Sequence, residues 1–174
     1  MSLALNQIPK SVKTFLFRAI LLFAGWKLLY VLWLQPINIP DSQLTALIVS
    51  GSTKLLSLFY PAAYYIYHTI FTSAGKGVRV EDHCNGLEVM VLYAGFIIAM
   101  PTVKKNIWRK LAYLVGGVVV IFLLNIIRCA SLTWIIYNHK DLFVISHKYV
   151  FSLLVYGAMA GMWVIYCKDR RYVA

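Results

Sequence analysis

The stretch LAYLVGGVVVIFLLNIIRCASLTWIIY, residues 111–137, decides the fold class of this chain. A transmembrane helix needs about 20 apolar residues to cross about 30 Å of hydrocarbon, and this run exceeds that length. Residues 15–34, 87–102 and 148–167 form three more apolar runs, of which 87–102 is short but acceptable in a thin or tilted setting. We therefore expect an all-α, polytopic membrane helical bundle with about four full spans.

The composition supports a single integral membrane domain over residues 1–174. The chain is 61% hydrophobic and has a mean hydropathy of +0.73, whereas about 45–50% apolar residues is typical of soluble domains. Its formal net charge of +11 lies mainly in short basic clusters beside the apolar runs. Charges in that position are typical of juxtamembrane segments, so we expect the lipid bilayer as a partner and no nucleic acid.

The basic clusters predict how the chain crosses the membrane, because cytoplasmic loops collect Lys and Arg. Three clusters stand out: Lys10, Lys13 and Arg18; Lys104, Lys105, Arg109 and Lys110; and Lys168, Arg170 and Arg171. Placing all three inside predicts a multi-pass protein of the cytoplasmic (inner) membrane with both termini in the cytoplasm. The polar loop 72–86 and the start of the last span then lie at the outer face.

Residues 43–71 are the ambiguous part of the chain. The predicted topology requires an even number of crossings here, and roughly 28 residues at about 1.5 Å each are too few for two helical crossings. We expect an interfacial or re-entrant helix in the outer leaflet, with a break or kink at Pro61 and with Asp41 or Ser42 as its N-cap. An ordinary span is the alternative, and it would break the charge pattern.

This topology brings Cys84, Arg128 and His147, from three separate segments, to the outer side of the membrane. A thiol that attacks, an imidazole that takes its proton and a cation that stabilises an oxyanion are the parts of covalent acyl transfer. Arg128 is the most informative of the three, because an arginine inside a span costs about 2.5–3.5 kcal/mol on insertion scales and indicates a functional site. Asn125, three residues earlier, projects from the same helix face.

Neighbouring residues could replace or assist these groups. His83 and His139 compete with His147 as the general base, although a histidine next to the thiol in sequence is a poor base for it. An acidic residue could orient the imidazole, and three candidates stay open: Glu81, Asp82 and Glu88.

Three short motifs follow one another along the chain. They are Cys84-Asn85-Gly86, then Asn125-Ile126-Ile127-Arg128 within a span, then His147 at the start of the next span. In this order they resemble the exosortase/archaeosortase family of polytopic membrane transpeptidases, over about residues 80–150. The resemblance implies that Cys84 is the nucleophile, His147 the general acid/base and Arg128 the substrate-orienting or oxyanion-stabilising cation. It also implies Asn125 and Gly86 as supporting positions, to which we add three neighbours as candidates: Asn85, Glu88 and His83.

The resemblance further implies a substrate class. An exported protein would carry a C-terminal sorting signal, made of a short motif, a transmembrane helix and a basic tail. The enzyme would cleave this signal and transfer the new carboxyl end to an acceptor, a lipid or a glycan, without a cofactor or a metal. With 174 residues the sequence is shorter than full-length exosortases and resembles the compact bacterial members, for which we expect fewer spans and no fused extra domain.

Two other functions compete with this interpretation. One is a non-catalytic membrane assembly or transport component, in which Arg128 and Glu88 form a structural ion pair. The other is a zinc hydrolase that uses His83, Cys84 and His147, although their spacing matches no zinc motif.

Overall fold

The fold is seen in a computed structural model that describes residues 9–72, 75–100 and 107–171. Its helices are α1 (Lys10–Ile37), α2 (Ile39–Ser57), α3 (Leu87–Ala99), α4 (Ile107–Asn138) and α5, which starts at Lys140 and ends with the segment Phe151–Arg171. Helices α1, α4 and α5 are long and apolar enough to cross a membrane, and α3 is a shorter apolar helix of 13 residues. The predicted all-α membrane bundle is thereby confirmed.

Helix α3 is shorter than the predicted span 87–102 because the chain meets Pro101. Met100, the residue after the helix, is extended with φ −61° and ψ 125°, as residues before proline tend to be. The Nζ atom of Lys110 donates to the carbonyl oxygens of Ile98 and Met100, each at 3.0 Å. A lysine from α4 thus donates to carbonyl oxygens at the C-terminal end of α3.

Helix α4 is the central helix, since α2, α3 and α5 all contact it. Gly51 of α2 lies so close to α4 that an added Cβ would be 2.7 Å from Cδ1 of Ile126. Beside it, the Ser52 hydroxyl donates to the carbonyl oxygen of Ile126 at 3.0 Å. Small residues at helix contacts allow backbones to approach closely in membrane proteins. The contact holds α2 against the turn of α4 that carries Asn125 and Arg128.

Helix α3 is held on α4 by Tyr93. The side chain is fully buried, lies over Gly117, and donates from its hydroxyl to the carbonyl oxygen of Tyr113 at 2.8 Å. A side chain at position 117 would collide with this ring. The Tyr93 side chain therefore fixes the position of α3 along α4, and with it the position of the Cys84 segment that precedes α3.

The region 43–71 differs from the expected interfacial or re-entrant helix with a break or kink at Pro61. Helix α2 ends at Ser57, and the chain then forms the strands β1 (Tyr64–Ile66), β2 (Thr69–Phe71) and β3 (Gly77–Arg79). They pair antiparallel in the order β1-β2-β3, and the aromatic and β-branched residues of this segment favour strands. Ile70 and Val80 are buried in one cluster with Ile48 of α2, so the sheet packs against the helices.

Helix α2 also begins earlier than expected. Its N-cap is Asn38, in the left-handed conformation with φ 53°, and Pro40 lies in the first turn, where proline fits the helix start. The expected N-cap residues Asp41 and Ser42 therefore lie inside the helix. Asp41 is 2% exposed, and a carboxylate is rarely buried so deeply unless it is paired with other groups.

Two of the long helices contain a π-helical segment. These segments are Tyr30–Leu34 in α1 and Ser146–Val150 in α5. Such turns are rare and occur frequently at functional sites. The first begins at Tyr30 and the second contains His147.

Candidate functional site

Cys84 lies in a short bridge between the sheet and α3. Residues Asp82–Cys84 form one turn of 3-10 helix, and the Cys84 amide donates to the carbonyl oxygen of Glu81 at 2.8 Å. The chain then turns at Gly86, whose φ of +81° lies in the left-handed region that favours glycine. The sharp turn puts the partly buried thiol just before the first residue of α3.

One imidazole nitrogen joins the three predicted catalytic residues. The Nε2 atom of His147 is 3.8 Å from Sγ of Cys84 and 3.5 Å from Nη2 of Arg128. All three side chains are partly buried. The structure thus brings together residues 63 positions apart and from three different elements. The contact between thiol and imidazole is a long sulfur hydrogen bond, as is common for catalytic pairs without bound substrate.

Asn125 supports the backbone of the thiol residue. Its side chain is 2% exposed, and Nδ2 donates to the carbonyl oxygen of Cys84 at 3.0 Å. An added Cβ at Gly86 would be 3.1 Å from the same Nδ2 atom. The glycine therefore provides both the left-handed turn and the space for this amide, which explains physically why Gly86 and Asn125 occur together.

The ring of His147 is held from its own helix. Phe143, one turn earlier, stacks on the imidazole with the ring centroids 5.9 Å apart and the planes at 18°. His147 also lies in the π-helical segment of α5, where an extra residue in the turn shifts side chains around the helix axis. Both features set the direction of Nε2.

Of the two competing histidines, His139 has described side-chain surroundings. His139 is exposed and lies against the ring of Trp134, with centroids 5.8 Å apart. The side chain of His83 lies outside the described part of the structure, so its predicted supporting role is not assessed by the geometry. Of the described histidines, His147 is the one in contact with Cys84.

The predicted ion pair between Arg128 and Glu88 is corrected by the structure. Oε1 of Glu88 lies 3.3 Å from Nζ of Lys27, and these two side chains form the salt bridge that joins α3 to α1. Arg128 points to the imidazole instead. The reason is that Glu88, in the first turn of α3, is on the face that contacts α1, whereas Arg128 lies on α4.

The acidic residues that could orient the imidazole also have other partners. Oδ1 of Asp82 accepts a hydrogen bond from the Thr45 hydroxyl at 3.3 Å, and Glu88 is paired with Lys27. Glu81 is exposed and contributes its backbone carbonyl to the turn at Cys84. Among the described contacts, the His147 ring is stacked by Phe143, and no acidic side chain is recorded against it.

A buried polar network beneath Cys84 was missed in the sequence. The side chain of Asn85 is 1% exposed; its Nδ2 donates to Oδ1 of Asp41 at 2.8 Å and contacts Oγ1 of Thr45 at 3.5 Å. Oδ2 of Asp41 accepts from the Tyr30 hydroxyl at 2.8 Å. The signal in the sequence is Asp41 itself, a carboxylate between apolar segments, whose position before an apolar run equally fits a helix cap.

The sequence as a whole matches a known protein family. A family model described as transmembrane exosortase matches residues 8–165. The chain belongs to the transmembrane exosortase family. The family resemblance drawn from the three motifs is thus confirmed, and so is a multi-pass membrane protein. No curated protein and no solved structure matches this exosortase.

The arrangement has the chemical requirements for acyl transfer. A partly exposed thiol can attack, a neutral imidazole nitrogen can take its proton, and a guanidinium beside both can donate to a developing negative charge. The tautomer that suits this geometry carries its proton on Nδ1, because Nε2 faces a donor on both sides.

Proposed function

We propose that this exosortase is a membrane cysteine transpeptidase that acts through an acyl-enzyme on Cys84. The observation that carries the proposal is the shared contact at Nε2 of His147, with the thiol at 3.8 Å and the guanidinium at 3.5 Å. An arginine in an apolar helix is costly, and its position beside a thiol and an imidazole gives it a chemical purpose.

In the first half-reaction, Nε2 of His147 takes the thiol proton as Sγ of Cys84 attacks the carbonyl carbon of the scissile peptide. The new S–C bond leaves a tetrahedral oxyanion, to which Arg128 donates from its guanidinium. The intermediate then collapses, the C–N bond breaks, and the imidazolium returns its proton to the leaving amine. The product is a thioester on Cys84 and a free C-terminal fragment.

In the second half-reaction, a hydroxyl or amine of an acceptor attacks the thioester. His147 removes its proton, the new acyl–acceptor bond forms, and the C–S bond breaks to release the Cys84 sulfur, which takes the proton back. Arg128 stabilises the second oxyanion in the same way. Attack by water instead would give simple hydrolysis, so the choice of acceptor decides whether the outcome is transfer or cleavage.

We propose exported proteins with a C-terminal motif, a transmembrane helix and a basic tail as the substrates. The apolar helices place the enzyme itself in the bilayer, which supports a substrate that is anchored there too. A transmembrane helix would hold the scissile peptide of the substrate near the thiol. The positive-inside distribution supports cytoplasmic termini and a site at the outer face of the cytoplasmic membrane. The acceptor is a lipid or a glycan available on that side.

Replacement of the thiol tests this function. Cys84→Ala is expected to leave an exported reporter with such a C-terminal signal at its precursor length, while the amount of enzyme in the membrane is unchanged. Cys167→Ala is the matched control, because it removes a partly buried thiol of α5. Reporter length on a gel is the measurement, and full processing by Cys84→Ala would overturn the proposal.

A further inference from the structure

The Cys84 segment is tied to α2 on both sides of the thiol. Two residues before it, Asp82 accepts a hydrogen bond from the Thr45 hydroxyl at 3.3 Å. One residue after it, Asn85 donates to Asp41 at 2.8 Å and contacts Thr45 at 3.5 Å. Asp41 and Thr45 are one helical turn apart on α2. One short surface of α2 therefore anchors the chain before and after the nucleophile.

The hydrogen bonds of this network form a consistent set. The two N–H groups of Asn85 serve Asp41 and Thr45, and its Oδ1 accepts from the amide of Leu87 at 2.9 Å. The single proton of Thr45 then goes to Asp82. Each donor has an acceptor, so a change in any one member leaves a buried polar group without its partner.

Asp41 is the centre of the network. Both of its carboxyl oxygens have a donor, Oδ1 from Asn85 at 2.8 Å and Oδ2 from the Tyr30 hydroxyl at 2.8 Å. The side chain is 2% exposed and lies in the first turn of α2, where the helix dipole favours a negative charge. A carboxylate is thus kept buried next to the nucleophile segment without any contact of its own to the thiol or the imidazole among the described hydrogen bonds.

We propose that Asp41, supported by Tyr30 and Thr45, is a positioning residue that sets the place of the Cys84 thiol by holding Asn85. The inference rests on the proposed function, in which Sγ must reach both Nε2 of His147 and a substrate carbonyl. Asn125 fixes the Cys84 carbonyl from α4, and Asp41 fixes the following residue from α2. The thiol is thereby held between two helices.

Substitutions at Asp41 separate hydrogen bonding from charge. In Asp41→Leu both acceptors are lost, the Cys84 segment is released, and kcat is expected to fall about 100-fold, as for a reacting group displaced by about 1 Å. The KM for the substrate is expected to stay the same, because the Asp41 side chain is 2% exposed and therefore inaccessible to a substrate. Asp41→Asn is expected to recover most of kcat, since its Oδ1 accepts from Asn85 and its amide donates to the oxygen of Tyr30.

The matched control is Thr53→Ala on the same helix. Thr53 is buried and donates only to the carbonyl oxygen of Val49 within α2, so it should change stability without changing kcat. If Asp41→Leu does not fold, Tyr30→Phe and Thr45→Val make the same test with smaller changes. Each is expected to lower kcat and leave KM unchanged.

A second measurement does not depend on any peptide substrate. The full-length protein in detergent is treated with iodoacetamide, and the alkylation rate of Cys84 is followed by mass spectrometry of its peptide. We expect Asp41→Leu to change this rate about tenfold or more, as a displaced reactive group would, and Asp41→Asn and Thr53→Ala to match the parent protein. Equal rates in the parent and Asp41→Leu proteins, or an unchanged kcat, would overturn the positioning role.

The two proposals fail in different ways. If Cys84→Ala still processes the reporter, the acyl-enzyme function is wrong, whatever the alkylation rates are. If Cys84→Ala is inactive but Asp41→Leu keeps either its kcat or its alkylation rate, the function stands and the positioning role of Asp41 is wrong.

Discussion

Replacing Arg128 by lysine is the most informative perturbation of the proposed mechanism. The guanidinium has five N–H donors in a rigid plane, and one of its nitrogens, Nη2, lies 3.5 Å from Nε2 of His147. In the proposed mechanism, other donors of the same plane serve the substrate oxygen. A lysine ammonium keeps the positive charge but cannot donate to both the His147 imidazole and the substrate oxygen in one plane. The oxyanion therefore loses a donor.

The expected size of the effect follows from that loss. Removal of one oxyanion donor typically lowers kcat by about 10²–10³-fold, equivalent to about 2.7–4 kcal/mol of transition-state stabilisation. KM should change little, because the contact strengthens only as charge develops on the oxygen. A role in charge pairing alone would predict nearly full activity for Arg128→Lys.

The assay is the initial rate of reporter processing in membranes that contain equal amounts of each variant. Arg79→Lys is the control, because Arg79 is an exposed arginine on β3. If Arg128→Lys processes the reporter as fast as Arg79→Lys does, the planar donor is not required and the role assigned to Arg128 is refuted.

Three further predictions concern the support of the site. Gly86→Ala should lower kcat and cost about 1 kcal/mol or more of stability, because φ is +81° and the new Cβ would be 3.1 Å from Nδ2 of Asn125; activity and thermal unfolding measure the two effects. Lys27→Met should lower the melting temperature by leaving the carboxylate of Glu88 without its partner in an apolar helix, and the double variant Lys27→Met/Glu88→Gln should recover it. Ser52→Ala should cost about 0.6 kcal/mol, measured by thermal unfolding, through loss of the hydrogen bond between α2 and α4.

Each of these predictions has a result that contradicts it. For Gly86, Gly157→Ala is the control, because an added Cβ there meets nothing within 4 Å, and equal behaviour of the two variants would show that the turn is not constrained. For the ion pair, a double variant no more stable than Lys27→Met would mean that the two charges do not interact. For Ser52, an unchanged melting temperature would mean that the interhelical bond contributes nothing.

The location of the site could be predicted because unusual residues mark it. Arg128 is the only charged residue in the run 111–137, so its cost is visible in the sequence. The order of the cysteine, asparagine–arginine and histidine motifs then indicated the family, which the match over residues 8–165 shows. The structure brings Cys84, Arg128 and His147 together, whereas their catalytic roles stay predictions.

The support of the site could not be predicted, because it depends on which helix faces meet. Asp41 has the sequence signature of a helix cap, and only the packing of α2 beneath Asn85 gives it another role. Glu88 and Arg128 are both charges among apolar residues, but α3 presents Glu88 to Lys27 of α1. Hydropathy gives the position of a helix in the chain and not its neighbours.

The strands after α2 were missed for a different reason. The segment 64–71 is short and rich in tyrosine, a composition that is also typical of a membrane interface. The alternation of buried and exposed side chains in β2 becomes visible only in the structure, where β2 pairs with both neighbouring strands and buries Ile70 against α2. The helical expectation was therefore correct as far as Ser57 and wrong beyond it.

The central claim is that Cys84 carries the acyl group, and an acid quench tests it most directly. Purified enzyme is mixed with a substrate that bears the C-terminal signal, quenched within one turnover, digested and analysed by mass spectrometry. We predict that the peptide with Cys84 gains the mass of the substrate fragment that ends at the cleaved carbonyl group. Treatment with hydroxylamine should remove this mass again. Substrate cleavage with no adduct on Cys84, or with the adduct on Cys129 or Cys167, would contradict the account.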